Sequence, residues 1–241
     1  MKVILALLAI SCTAFAMPED RFKRDIQNIR DSCPGRCVMQ DKYREWFTQL
    51  LPKAREFGKQ LAESSNQPVV PTLNPEKWDT YCTEIGNIRT CIGNCNDPSD
   101  AEKKTKAEAI LNAASDIVCD ANIKAKFPCL QEVAQVPSPT CNEECQQFKQ
   151  PILDAYNQYK QTGQRDWERA KTAGTNVCLL INCRLKCRKN DIETKCGAEG
   201  YSAAKNLVKE LAVLGQTTHA QFRPAQNFPD ECKPDNVIQG A

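Results

Sequence analysis

Eight cysteines stand in four Cys-x-x-x-Cys pairs: Cys33/Cys37, Cys91/Cys95, Cys141/Cys145 and Cys183/Cys187. A thiol has three main chemistries: nucleophilic attack as a thiolate, ligation of a soft metal, and oxidation to a disulfide. A spacing of four puts both sulfurs on one face of an α-helix, and two such faces laid together can be joined twice. Zinc sites built from cysteine pairs more often use Cys-x-x-Cys, so the spacing points to cross-links rather than metal ligands. The chain has 15 cysteines, and Cys12 falls within an apolar leader. The other fourteen are those eight together with Cys82, Cys119, Cys129, Cys178, Cys196 and Cys232. An even number leaves no odd thiol to act beside the single histidine, His219. His219 lies in Thr-Thr-His-Ala near a Pro-rich tail and is expected in an exposed loop. The sequence has no Gly-x-Ser-x-Gly elbow, Gly-rich phosphate loop or clustered metal carboxylates. The expectation is therefore no catalytic residue, no cofactor-binding residue and no metal ligand, in a chain that is not an enzyme.

Two basic runs are the remaining chemical candidates. Arg184, Lys186, Arg188 and Lys189 form one, and Arg184 and Arg188 would share a helix face. Lys103, Lys104 and Lys106 form the other. Either would suit a sulfated glycosaminoglycan or another acidic extracellular partner. The alternative is a solvated helix face, with acids such as Asp191 and Glu193 nearby.

The compartment decides which cysteine chemistry operates. Lys2, the apolar run 3–10 and Ala14-Phe15-Ala16 form a secretory signal over residues 1–16. The apolar run is far below the ~20 residues that a spanning helix needs, so no membrane span is expected. Arg21-Phe22-Lys23-Arg24 matches a processing site that would release a pro-segment ending at 24. The alternative is a basic tail over 17–32. The secretory route is oxidising, and seven disulfides follow from fourteen cysteines. The formal charge of +2 includes Lys2. A chain so close to neutrality is not strongly steered toward nucleic acid or an anionic membrane. The reading is a secreted, extracellular protein.

The elements that carry these cysteines read as helices. Tyr43, Trp46, Phe47, Leu50, Ala54, Phe57 and Leu61 recur at helical spacing, interrupted by Pro52. Asn74-Pro75 reads as a helix start, followed by a face of Trp78, Cys82, Ile85, Arg89 and Ile92. Ser99 to Glu102 reads as a capping box opening a helix with Ala107, Ile110, Leu111, Ala114, Ile117 and Val118 inward. Thr140 to Glu143 reads as a second box, opening one helix through Phe148, Ile152 and Tyr159, which Pro151 would kink. A further stripe runs from Trp167 through Val177 to Leu185. A last helix carries Tyr201, Ala204, Leu207, Val208 and Leu211 and is capped by Gly215. Trp46, Phe47, Trp78, Trp167 and Leu207 would be the lining of an apolar ligand cavity, or simply core.

The fold class is all-α, a disulfide-stapled bundle of helical hairpins. Residues 33–232 form a single cysteine-rich domain, with 233–241 as a C-terminal tail. Each half, 33–129 and 141–232, carries seven cysteines in the order pair, single, pair, single, single. Two fused repeats or coincidence would both produce that order. Seven per half forces at least one bridge between halves. Antiparallel stapling would join Cys33 to Cys95, Cys37 to Cys91, Cys141 to Cys187 and Cys145 to Cys183. Sequence assigns no partners to the other six.

The stretch from Cys33-x-x-x-Cys37 through Trp78, Cys82, Cys91 and Cys95, then Cys119, Phe127-Pro128-Cys129, Cys141-x-x-x-Cys145 and Cys178 to Cys196-Gly197, resembles the nematode chondroitin proteoglycan type-4 domain. A second family of secreted nematode domains is similar. The resemblance rests on cysteine order over about 33–232 and implies a secreted helical domain. The sequence departs from glycan-bearing members of that family, because it contains no Ser-Gly dipeptide and no Asn-x-Ser/Thr acceptor. The expected role is binding, or service as an extracellular or egg-matrix component, without glycosaminoglycan chains of its own. The partner would be an extracellular protein or matrix component, and no cofactor is implied. The competing roles are a carrier of a lipid or small apolar ligand and a secreted effector that binds a protein.

Overall fold

A computed structural model describes residues 31–38, 78–162, 166–222 and 227–237. The leader 1–16, the Arg21–Arg24 site, the stripe 43–61 and the Asn74-Pro75 start lie outside the described residues. Among the described residues there are nine α-helices and no strand. We label them α1 (Cys33–Val38), α2 (Trp78–Gly93), α3 (Ala101–Val118), α4 (Ala121–Gln135), α5 (Pro139–Glu144), α6 (Lys149–Thr162), α7 (Trp167–Cys187), α8 (Lys189–Phe222) and α9 (Pro234–Val237). No described helix is long and apolar enough to cross a membrane.

Trp78 anchors the largest core. It is 2% exposed, and its ring centroid lies 4.9 Å from that of Phe127 on α4. Ile85 of α2, Ile117 and Val118 of α3, Ile123 of α4 and Leu214 of α8 close around the pair. On α2 the buried face takes in Ile88 and leaves Arg89 exposed, a correction to the expected stripe. A second cluster joins α1 to the end of α2 through Cys37, Ile88, Ile92 and Cys95, with Ala107 and Leu111 of α3 against it. A third gathers Val133, Leu185, Ile192, Tyr201 and Ala204 from α4, α7 and α8.

The ends of the elements show local competition for caps. Ser99 does not open α3. Its backbone N–H and its hydroxyl both donate to Asp97 Oδ1, which organises a 3-10 turn, Pro98–Asp100, ahead of the helix. Glu102 pairs with Lys106 instead of reaching back. Asp120 caps α4 by accepting from Ile123 N at 2.7 Å. Asp166 caps α7 by accepting from Glu168 N and Arg169 N. The Thr140 box also gives way. Ser138 precedes α5, with Pro139 at its first position. A 3-10 turn, Gln146–Phe148, then separates α5 from α6. Pro151 falls in the first turn of α6, where a missing N–H costs no helix bond, so it does not act as a kink there.

α8 runs straight through Gly215, which is buried inside it and caps nothing. The chain departs from helical geometry at Gly197 instead (φ 77°, ψ 172°), a backbone region essentially restricted to glycine. After this break α8 lies along α4 and α3. Lys126–Glu199 at 2.8 Å and Glu132–Lys195 at 3.0 Å flank the contact with α4, which is therefore antiparallel.

Candidate functional site: the cysteine staples and the head of the α6–α7 hairpin

The fourteen cysteines from Cys33 onward form seven pairs. Cys33–Cys95 and Cys37–Cys91 staple α1 to the end of α2, with Cα separations of 5.8 Å each. Cys141–Cys187 and Cys145–Cys183 staple α5 and the residue after it to the end of α7, at 5.6 and 5.9 Å. These are the four pairs that antiparallel stapling requires. Cys82–Cys119 ties α2 to the end of α3, and Cys178–Cys232 ties α7 to a 3-10 turn, Asp230–Cys232, ahead of α9. In cysteine order they are not equivalent: the third cysteine of the first half joins the sixth, and that of the second half joins the seventh. The leftover pair, Cys129–Cys196, crosses from one half to the other.

The sulfurs of Cys33, Cys37 and Cys95 lie within 4.8 Å of one another, a spacing compatible with one metal ion. All three are disulfide-bonded, and a disulfide sulfur lacks the thiolate charge that binds zinc. His219 is not in a loop. It lies within α8, 8% exposed, with its ring edge-on to Phe228 at 5.4 Å. Residues 227–237 fold back over this region, and Cys232 ties them to α7.

The basic run at the end of α7 divides into separate roles. Arg188 is 13% exposed at its side chain; it pairs with Asp191 at 3.2 Å and donates from Nη1 to the carbonyl of Val136 at 2.9 Å, bracing the end of α4. Lys189 is exposed, with its ammonium 5.4 Å from the centre of the Tyr201 ring, which Lys205 also approaches at 5.1 Å. Lys186 is exposed. Arg184 is half-buried, and burial lowers its guanidinium pKa, with the Arg188 charge adding to the effect. Lys149 belongs to the same group. Burial lowers its ammonium pKa and Arg184 lowers it further. Among the described residues, no carboxylate forms an ion pair with Arg184 or Lys149.

The staple explains why these cations meet. Arg184 follows Cys183 directly, Lys149 lies four residues beyond Cys145 across the 3-10 turn, and Cys145–Cys183 is a bridge. No family model, curated protein or solved structure matches the chain. The site must therefore be read from its own geometry.

Two open grooves lie on the described surface. One runs between α2 and α3, past Arg89, Thr90, Glu108 and Asn112. The other runs between α6 and α7, past Pro151, Asp154, Asn157, Gln158, Gln161 and Arg169. The second starts at Pro151, in the first turn of α6.

The second basic run serves the architecture. Lys103 pairs with Asp100 at 3.1 Å. Lys104 donates to the carbonyls of Gly93 and Cys95 at 2.7 and 3.1 Å, closing the end of α2. Lys106 pairs with Glu102. Of the expected apolar-cavity lining, Trp46 and Phe47 lie outside the described residues. Trp78 is core, and Leu207 packs against that core.

Proposed function

We propose that this chain is a secreted, non-enzymatic protein that acts by binding or as an extracellular matrix component, without glycosaminoglycan chains of its own. The observation that carries the reading is the density of cross-links: seven bridges connect α1, α2, the end of α3, α4, α5, α7, α8 and the segment before α9, and a cytosolic thiol pool would reduce such a set. The sulfurs are consumed in structure, and His219 is packed beneath Phe228. The chemistry left on the surface is polar recognition. The cysteine order adds the resemblance to the chondroitin proteoglycan type-4 domain.

The grooves favour binding at the surface over carriage of an apolar ligand. Both are open to solvent, and the one between α2 and α3 is lined by charged, amide and hydroxyl groups, whereas sites for apolar ligands are enclosed and mostly apolar. Native mass spectrometry of the secreted protein tests the reading. The expected mass is that of the fully oxidised polypeptide. An apolar adduct lost on denaturation would replace it with the carrier reading, and a covalent glycan mass would restore the glycan-bearing role.

A further inference from the structure

We propose that Cys119 is a thiol-exchange site, at which a thiol from outside the protein opens the Cys82–Cys119 bridge and becomes attached. Among the described residues, Cys119 is the one exposed member of a bridge. In five of the other six bridges one cysteine is buried, and in the sixth Cys129 and Cys196 are both half-buried. Exposed disulfides are the labile ones, because exchange requires a thiolate to reach a sulfur. Cys82 is half-buried against the main core, so attack falls on Cys119. The two staples have a second protection. When one bridge of a staple opens, its neighbour holds the two thiols in register to reclose. Cys82–Cys119 stands alone. α2 and α3 nonetheless remain packed without it, through Ile85, Ala114, Ile117 and Val118, so opening is a local event.

The exchange runs in two steps. An incoming thiolate bonds to Cys119 Sγ and breaks the bond to Cys82; the electron pair leaves on Cys82, which takes a proton from solvent. A second thiolate then attacks the sulfur of the attached group. Cys119 departs as a thiolate, and the two external thiols leave joined as a disulfide. The Ser115 hydroxyl donates to Cys119 Sγ at 3.4 Å, so it stabilises the charge on that sulfur when Cys119 is the leaving group. The surroundings select the thiol. Asp116 lies three residues before Cys119, and Asp120 follows it directly. Among the described residues Asp116 pairs with no cation, and Lys124, one turn into α4, is taken up by Asp79. Cys119 also closes the C-terminal end of α3, where the helix dipole adds negative potential. A cationic thiol, or a cysteine set in a basic surface, is therefore attracted where an anionic one is repelled.

The test exposes the full oxidised protein to cysteamine, quenches samples with acid, alkylates free thiols and maps the products by mass spectrometry. The expected first product carries cysteamine on Cys119 and an alkyl group on Cys82. It should form at least about tenfold faster than any other bridge opens. Glutathione, which is anionic, should give the same product more slowly, once each rate is divided by that thiol's rate with an unstructured cystine peptide. Asp116→Asn and added salt should both narrow that gap. With Cys82 alkylated, discharge of the adduct by fresh cysteamine should be about threefold slower in Ser115→Ala, and Ser115→Thr should restore it. A merely structural Ser115 would shift the melting temperature and leave the discharge rate unchanged. Opening of all seven bridges at similar rates, attachment at Cys82, or reaction of Cys82–Cys119 only after unfolding would overturn the proposal. Equal normalised rates for the two thiols would overturn the preference for a cationic partner.

Discussion

A Cβ built at position 200 would collide with the Cβ of Cys196, so Gly200 is the residue that lets the inter-half bridge fit inside α8. The colliding atom is the root of a side chain already fixed by its bond to Cys129, and it has no rotamer by which to move away. Gly200→Ala is expected to cost about 1–3 kcal/mol, typical of overpacking. It should also raise the free-thiol content as Cys129 and Cys196 fail to close. A melting temperature and thiol count identical to wild type would contradict the collision.

Gly197 presents the opposite case. Its neighbourhood is open, and only its backbone conformation is demanding. Gly197→Ala should lower stability by about 1–3 kcal/mol through strain while leaving all seven bridges formed. Chemical denaturation with intact disulfide mapping separates it from Gly200→Ala.

The Cys129–Cys196 bridge should be the cross-link that couples the halves. Replacing both cysteines by alanine is expected to cost about 2–4 kcal/mol and to leave the other six bridges in register. A denaturant titration checks the loss. Two separated unfolding transitions would be the strongest sign that this bridge holds the halves to one cooperative unit.

Asp100 predicts an acid limb. It is buried, and the carboxylate pKa is held below its ordinary value first by the backbone N–H of Cys33, donated at 2.7 Å, and then by Lys103 against the opposing effect of burial. A depressed carboxylate contributes stability above its unfolded pKa, and that contribution is lost as pH falls through the lower folded value. Denaturant midpoints should therefore fall as pH drops from about 5 toward 2, and Asp100→Asn should flatten that fall. A mutant with the same acid slope as wild type would exclude Asp100 as its source.

The staples were legible because a spacing of four is local geometry: Cys33/Cys37 and Cys91/Cys95 carry their shared face in the sequence itself. Cys82, Cys129, Cys178 and their partners have no such local register. Their pairing depends on how separate helices pack against one another, which is a tertiary outcome. The Ser99 box failed because a second acceptor, Asp97, lay two residues away and took both of its donors. The caps at Asp120 and Asp166 are acidic starts without a Glu or Gln three residues on to mark them as a capping box. Gly215 looks like a helix end and so puts His219 in a loop, yet burial against neighbouring helices outweighs a single glycine's preference. The basic run at Arg184 was visible. Lys149 was not, because only the Cys145–Cys183 bridge brings it to the same place.

The path of α8 imposes an order on synthesis. Trp78 and Phe127 leave the ribosome well before Leu214, which completes their enclosure. Until then the largest apolar cluster has one open wall, while the α1–α2 staple has all four of its cysteines at hand. The nascent chain is thus able to lock its first hairpin early, yet it must keep Trp78 shielded by other means until nearly the whole polypeptide has emerged.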